Sequence, residues 1–426
     1  MIRNFNFEMT AYSKSSLRLF LFSDMYPCGK AEPFLETEIR YLANRFSKVI
    51  VAPNRIVGTR RRLPNGVSLE TSLGRRKAAG RTRRLACFGS PVLYREFFSH
   101  PSTLMRWRAL KQVVSYLAEA QRVYLWLLSY IQHHKKIRDI LFYTYWLSPT
   151  SLAISMAKTH FPDLQLISRA HGWDLYDERH LGSYLPYRRK MLRQINSIFL
   201  ISEHGKRYLS KKYPMFQDRY HVSRLGVIDP GFTTSQSTDG VFRVVSCSSL
   251  APLKRLDRLV EGLGLFAQSR PRVPVEWRHI GDGPLRNELE FGAGNVLPSN
   301  VRFVLHGQLP NKEVIDFYKT HSVDVFVNVS EFEGVPVSIM EAQSCGIPVI
   351  APAVGGIPEI VNNENGVLLK SRPTASCIAN ALERIISCPS ETLSRKHAGK
   401  STWKSMCNAE TNYTAFAESI IRSFRH

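Results

Sequence analysis

The sequence predicts an α/β protein built from two doubly wound domains with parallel sheets. Short unbroken runs of Val, Ile, Leu and Phe alternate with longer amphipathic segments, the pattern of parallel strands covered on both faces by helices. This alternation stops at a polar break, "DPGFTTSQSTDG" (229–240), and then restarts. The length of 426 residues suits two or three domains at about 100–200 residues each.

Taken in order, "LRLFLFSD" (17–24) reads as a buried strand. "AEPFLETEIRYLANRF" (31–46) is the helix that follows it, and "SKVIVAPN" (47–54) the second strand. Further strands are expected at "DILFYTYW" (139–146), "LQLISRAHG" (164–172), "SIFLISE" (197–203) and "HVSRLGV" (221–227). Past the break come "FRVVSCSSL" (242–250), a helix near 255–268, "VEWRHIGDG" (275–283), "VRFVLHG" (301–307), "VDVFVNVS" (323–330) and "PVIAP" (348–352). The segment "STWKSMCNAETNYTAFAESIIRSF" (401–424) has the spacing of one amphipathic helix. The domains expected are 1–235 and 236–403. Open sheets of this kind bind ligands at the carboxyl ends of their strands, so two of them are expected to face a cleft.

Composition bounds the partners. Hydrophobic content of 44% and charged content of 22% are those of a globular chain and exclude global disorder. Lys and Arg number 58 against 35 Asp and Glu, a net charge of +23 that favours an anionic partner: nucleic acid, an acidic membrane surface or a phosphorylated ligand. The seven cysteines contain no C-x-x-C pair, which reads as reduced thiols in a cytoplasmic protein without a zinc site. The first residues lack the apolar core of a signal peptide, and "VYLWLLSYI" (123–131) is too short to span a bilayer. A soluble or peripheral cytoplasmic protein is expected.

Residues 55–84 carry Arg60, Arg61, Arg62, Arg75, Arg76, Lys77, Arg81, Arg83 and Arg84 against the single acid Glu70. This is either a solvated loop or a patch for anionic lipid head groups, at about 1 kcal/mol per basic residue. Aromatic–basic interleaving, which nucleic acid would favour, is missing from that run.

Chemistry concentrates in "EFEGVPVSIMEAQSCG" (331–346). Glu331 to Val335 form the loop after a strand, Pro336 suits the first helical position, and Gly346 suits the helix end. The amides of Gly334, Val335, Val337 and Ser338 would then be open to a phosphate. Glu333 and Glu341 would face the same pocket, where carboxylates suit the hydroxyls of a sugar or a ribose.

These residues resemble the E-x7-E signature of retaining nucleotide-sugar glycosyltransferases of the GT-B fold, glycosyltransferase family 4. "CSSLAPLKRLDRLVEGL" (247–263), "HIGDGPLRNELE" (279–290), "LHGQLPNKEVIDFY" (305–318) and "APAVGGIPEIV...NGVLL" (351–369) are similar to other segments of that family. The likeness is dense over 242–370. It is thinner before, at "PCGKAEPFLETEI" (27–39), "RAHGWDLYDE" (169–178) and "SIFLISEHGKRYL" (197–209). Its tenor is that of bacterial exopolysaccharide and colanic-acid-type transferases.

The resemblance implies that Glu341 holds the ribose, Glu333 a donor-sugar hydroxyl, and Lys254 the diphosphate. The backbone of Gly334, Val335, Pro336, Val337 and Ser338 would surround sugar and phosphate. His171, in an H-G-x-D context with Asp174, would lie near the reacting carbon. Gly29 (beside Lys30), Gly281, Gly283 and Gly307 would supply tight turns around the donor. Many members carry an Arg where this chain has Ser249, so diphosphate binding would rest on Lys254, the Ser249 hydroxyl and the helix N-terminus, with Arg255 or Arg258 as possible substitutes. A final helix, about 404–426, would cross back to the N-terminal domain.

No D-x-D triplet is present, so neither metal nor cofactor is expected, only a nucleotide-diphosphate sugar as donor. The expected function is transfer of a hexose to a saccharide or lipid-linked acceptor in surface polysaccharide biosynthesis, at the inner face of the cytoplasmic membrane. Alternatives are a nucleotide-sugar epimerase on the same fold, a binder of anionic polymers such as nucleic acid, and a non-catalytic sugar-nucleotide binder.

Overall fold

The computed structural model describes residues 14–29, 31–101, 106–134 and 137–424; Lys30 lies outside them. Seven strands form the first sheet: β1 (Ser15–Ser23), β2 (Phe46–Pro53), β3 (Val67–Leu69), β4 (Ile140–Thr144), β5 (Gln165–Ala170), β6 (Ser197–Leu200) and β7 (Tyr220–Val222). Their spatial order is β3-β2-β1-β4-β5-β6-β7. Between them run α1 (Leu35–Arg45), α2 (Ser72–Arg75), α3 (Arg81–Ala86), α4 (Pro91–Ser99), α5 (Trp107–His133), α6 (Pro149–Ala157), α7 (Arg188–Gln194) and α8 (Glu203–Lys212). Leu19 of β1 lies level with Val49 on one side and Leu141 on the other, both pairings parallel. The unbroken apolar run of β1 follows from this, since both faces of a central parallel strand are covered.

The second sheet has β8 (Phe242–Cys247), β9 (Val275–Ile280), β10 (Val301–Leu305), β11 (Val325–Val327), β12 (Val349–Pro352) and β13 (Gly366–Leu369), in the order β10-β9-β8-β11-β12-β13. Its helices are α9 (Leu256–Ser269), α10 (Arg286–Val296), α11 (Asn311–Thr320), α12 (Val337–Ser344), α13 (Ala375–Ser387) and α14 (Pro389–Met406); α15 (Ala409–Phe424) closes the chain. Trp277 of β9 centres the core with Val244, Leu259, Leu263, Phe266, Val325 and Ile350. Its ring stacks on Phe303 at 4.3 Å, and its indole N–H donates to Ser246 Oγ at 2.9 Å, so the burial of its polar atom is compensated. These are two Rossmann-like α/β domains.

By compactness the chain divides into Met1–Arg169, Asp177–Ile198 and Tyr413–His426 as one unit, and Ala170–Tyr176 with Phe199–Asn412 as the other. In the first, Trp126 and Tyr130 of α5 pack on Phe20 at 6.0 and 5.1 Å. Phe416 of α15 lies 5.5 Å from the Tyr143 ring and beneath the Arg169 guanidinium at 4.2 Å.

Several expectations need correction. The helix expected over 401–424 is two, because α14 ends at Met406 and α15 begins at Ala409. Between them the Val227 N–H donates to Cys407 O at 2.8 Å and the Ala409 N–H to Val227 O at 3.1 Å, so the chain leaves the helical ladder there to pair with Val227. The helix expected from 31 begins at Leu35, because Glu32 takes a positive φ of 54°. Its carboxylate instead accepts the amides of Asp24, Met25 and Tyr26 at 2.8–2.9 Å. The polar break is no free linker: Thr234 is buried, its N–H donates to Cys345 O at 2.8 Å, and Lys396 Nζ donates to its carbonyl at 3.2 Å. Residues 55–84 are not a plain loop either, since they hold β3, α2 and α3. Within them Arg61 is committed to Glu36 and the Ala31 carbonyl, and Arg83 is half-buried. Arg60, Arg62, Arg75, Arg76, Lys77, Arg81 and Arg84 remain exposed.

Candidate functional site

The loop after β11 and the helix α12 that follows it position both signature acids. Pro336 takes the N-cap position, one residue before the expected one, with φ −72° and ψ 123°. Among the described residues, the N–H groups of Gly334, Val335, Val337 and Ser338 have no backbone acceptor, as the first amides of a helix do not. At the other end Gly346 takes φ 67°, its N–H bonds Gln343 O at 3.0 Å and the Ile347 N–H bonds Ala342 O at 2.9 Å. That pair of bonds is a Schellman motif, which accounts for the glycine.

Glu341 is buried, at 5% exposure. Asn311 Nδ2 of α11 donates to its Oε1. Desolvation pushes its carboxyl up to about 7, and the Asn311 bond opposes this in part. Close by, burial also raises the Cys247 thiol and pushes Cys345 up to about 12, and each feels the Glu341 charge. A carboxyl kept dry, with one amide donor, is suited to accept hydrogen bonds from ligand hydroxyls.

Glu333 and Lys254 meet directly: Lys254 Nζ donates to Glu333 Oε1 at 2.5 Å. The two side chains are 20% and 12% exposed, so the pair sits at a partly open surface. Lys254 ends a short turn, Pro252–Lys254, that is held to the acidic loop by the Glu331 N–H on Leu253 O at 2.9 Å. Each charge is thus the other's counter-ion. The possible substitutes for a second cation are engaged with acids of their own helix, Arg255 with Asp257 at 2.9 Å and Arg258 with Glu261 at 2.9 Å. Ser249 is exposed.

The glycines divide by cause. A Cβ on Gly281 would fall 1.8 Å from Ser248 O, and one on Gly283 2.5 Å from Leu250 O, so both are required for the loops after β8 and β9 to touch. Gly307 has open space around it and is required for its φ of 71°; its carbonyl accepts the Gly281 N–H at 2.8 Å. Gly29, in the other unit, has φ 66° and lies against Val57 O. A Cβ on Gly334 would lie 3.2 Å from His171 O, which puts the acidic loop beside His171 within the second unit. His171 is buried, its N–H donates to Asp174 Oδ1 at 2.8 Å, and its Nδ1 lies 3.9 Å from Asp174 Oδ2.

Three contributors escaped the sequence reading as site residues: Asn311, the Gly355–Gly356 pair and Glu359. A Cβ on Gly355 would lie 1.8 Å from Glu333 O, and the Gly356 N–H donates to Gly334 O at 2.7 Å, so this pair seats the loop. Glu359 accepts the N–H groups of Glu203 and His204 at 3.0 and 2.8 Å, and Arg224 Nη2 at 2.9 Å. Their only signal was membership of the quoted family-like segments, 305–318 for Asn311 and 351–369 for the glycine pair and Glu359.

With this geometry in hand, residues 233–402 match the family model described as Glycosyl transferases group 1. The matched region contains Lys254, Glu333, Glu341 and every strand of the second sheet. Among relatives, WcaL of Salmonella typhimurium, named for colanic acid biosynthesis, is 27% identical over 52% of this chain and 55% of its own length. The teichuronic acid biosynthesis protein TuaC of Bacillus subtilis is 30% identical over 30% of this chain and 31% of its own. The chain thus spans about a third to about half the length of these curated relatives. Among solved structures, Anabaena HepE in complex with UDP covers 95% of this chain and all (100%) of its own, with a TM-score of 0.64 at 17% identity. Sucrose-phosphate synthase of Thermosynechococcus elongatus gives 0.68 at 16%, over 96% and 99%. At such identities the likeness establishes the fold.

Proposed function

We propose that this protein is a retaining glycosyltransferase that moves a hexose from a nucleotide-diphosphate sugar to a saccharide or lipid-linked acceptor in bacterial surface polysaccharide synthesis. The observation that carries the reading is the pairing of Lys254, on the Pro252–Lys254 turn, with Glu333 on the loop leading into α12, and buried Glu341 within that helix. Glu341 takes the ribose hydroxyls and Glu333 a hydroxyl of the sugar. Lys254, released from Glu333, faces the diphosphate together with the open amides at the start of α12. As the bond from the anomeric carbon to the phosphate oxygen breaks, negative charge grows on the leaving group, and a fixed ammonium and preorganised amides stabilise it. The acceptor oxygen bonds to the same carbon on the same face, and its proton passes to the departing phosphate oxygen. His171, beside Gly334, positions the reacting sugar. Protein groups take the place of a divalent metal in this scheme; the lack of a D-x-D triplet supports it. The names of WcaL and TuaC support the polysaccharide context, and the UDP complex of HepE supports a nucleotide donor.

The test is a thermal-shift screen of nucleotide sugars, where a donor at 100 times its Kd adds about 2.7 kcal/mol, followed by product analysis. Glu341→Ala is expected to weaken the best donor by about 1.5–3 kcal/mol. Epimerised sugar nucleotide formed from donor alone, or donor affinity unchanged in Glu341→Ala, would sink the reading.

A further inference from the structure

One surface of the first unit has an unusual composition. Between residues 71 and 118 the only acid is Glu96, against ten Lys and Arg. Glu96 is buried and turned inward, accepting the Tyr187 N–H at 2.6 Å and the Tyr184 hydroxyl. The outer face of this stretch therefore carries cations without a carboxylate of its own.

It also carries large apolar side chains that the core does not take. In α3 and the turn after it, Arg81, Arg84, Leu85 and Phe88 recur at helical spacing on one exposed face, while Cys87 points inward with its Sγ 3.4 Å from Gln121 Oε1 of α5. In α4, Leu93, Glu96 and Phe97 are buried, and Tyr94, Arg95 and Phe98 look outward. Trp107 and Arg108 open α5, and Lys111 lies one turn on. Phe98 is 86% exposed, and Leu85 and Trp107 are each 67% exposed. The pieces are joined: Tyr94 Oη donates to Phe88 O at 2.7 Å, and Tyr184, bonded to Glu96, accepts Gln112 Nε2 at 3.3 Å.

Clustered apolar groups left in water need a reason. Aromatic and aliphatic side chains interleaved with arginines, with no exposed acid within residues 71–118, match the boundary of an anionic bilayer, where rings sit at head-group level and cations meet lipid phosphates. We propose that the outer face of α3, α4 and the first turns of α5 inserts shallowly into an anionic membrane. This names the surface and mode of attachment for the transferase proposed above, yet it does not rest on catalysis. Insertion differs from adsorption through the arginines alone, because buried apolar area resists salt and charge attraction does not.

The test is flotation of the full chain with vesicles of phosphatidylcholine, or of phosphatidylcholine and phosphatidylglycerol in equal amounts, at about 0.1 M and about 1 M salt. The protein is expected to float with the anionic vesicles at both salt levels. A Phe98→Ser, Trp107→Ser double variant, whose altered side chains are exposed and leave the core intact, should lose about tenfold or more of its partitioning. Its high-salt binding should disappear while its thermal unfolding stays that of the parent. The proposal falls if the parent ignores anionic vesicles, or if the double variant floats like the parent at high salt. It falls also if single-stranded polynucleotide displaces the vesicles, or if the apolar face proves to be a self-association surface, shown by a dimer without lipid that the double variant abolishes. Failure of every nucleotide sugar in the donor screen would leave this result unaffected.

Discussion

Two buried glutamates, one in each compact unit, have been given opposite surroundings. Glu38 of α1 is fully enclosed, with Arg169 as its ion-pair partner and the Tyr143 hydroxyl donating at 2.9 Å. Glu341 of α12 is nearly as buried, yet among the described residues no cation pairs with it, and one amide donates to it. Removing a carboxylate from water is costly unless its charge is matched inside. For Glu38 the fold supplies that match, so the acid is a structural element that ties the first sheet together. For Glu341 it does not, so burial raises its carboxyl to about 7. An acid held in that condition next to an open helix start belongs with ligand chemistry.

The sharpest way to break the comparison is at Arg169. Arg169→Met would leave Glu38 buried without its counter-charge, and urea denaturation should reveal a loss of about 3–5 kcal/mol. Adding Glu38→Gln should restore most of it. Parental stability in the single variant would show that the pair does not carry the structural role assigned here.

A smaller effect concerns pH. The folded carboxyl of Glu341 titrates near 7 against a reference of 4.5, so the folded state holds this proton more tightly than the unfolded chain does. Its contribution to stability is therefore full below about 4.5 and declines as pH rises towards 7, by an amount on the order of 3 kcal/mol. The parent minus Glu341→Gln difference in unfolding free energy should trace that decline. A difference curve that is flat, or rises with pH, would contradict the assignment.

The smallest expected effect is at Asn311. Asn311→Ala removes the donor that steadies Glu341, which should weaken nucleotide binding by about 1 kcal/mol, or fivefold, and move the Glu341 titration further up. Isothermal titration would resolve this. An unchanged affinity would make Asn311 a bystander.

Much of this was legible in the sequence. The strands announce themselves as unbroken β-branched and aromatic runs. α12 and its glycine stop could be read because capping chemistry is local. Glu333, Glu341 and Lys254 could be named from type and spacing. Other features could not. Glu359 reaches the amides of Glu203 and His204 across some 156 and 155 residues. Gly355 is a glycine because Glu333 O lies where its Cβ would be. The break between α14 and α15 is absent from the helical spacing of 401–424. Of the exposed face of α3 and α4 the arginines were read but the rings went unread, because Phe88, Tyr94 and Phe98 have the composition of core residues.

By itself the sequence determined the parallel α/β architecture and which residue types meet at the end of β11. Periodicity, propensity and caps act within a few residues and need no partner. Only the tertiary structure decided which buried acid receives an arginine and which receives an amide. It also decided that Lys254 rests on Glu333, and which aromatic rings are left outside. Burial and charge pairing are properties of residues far apart in the chain, so they exist only once the chain has folded.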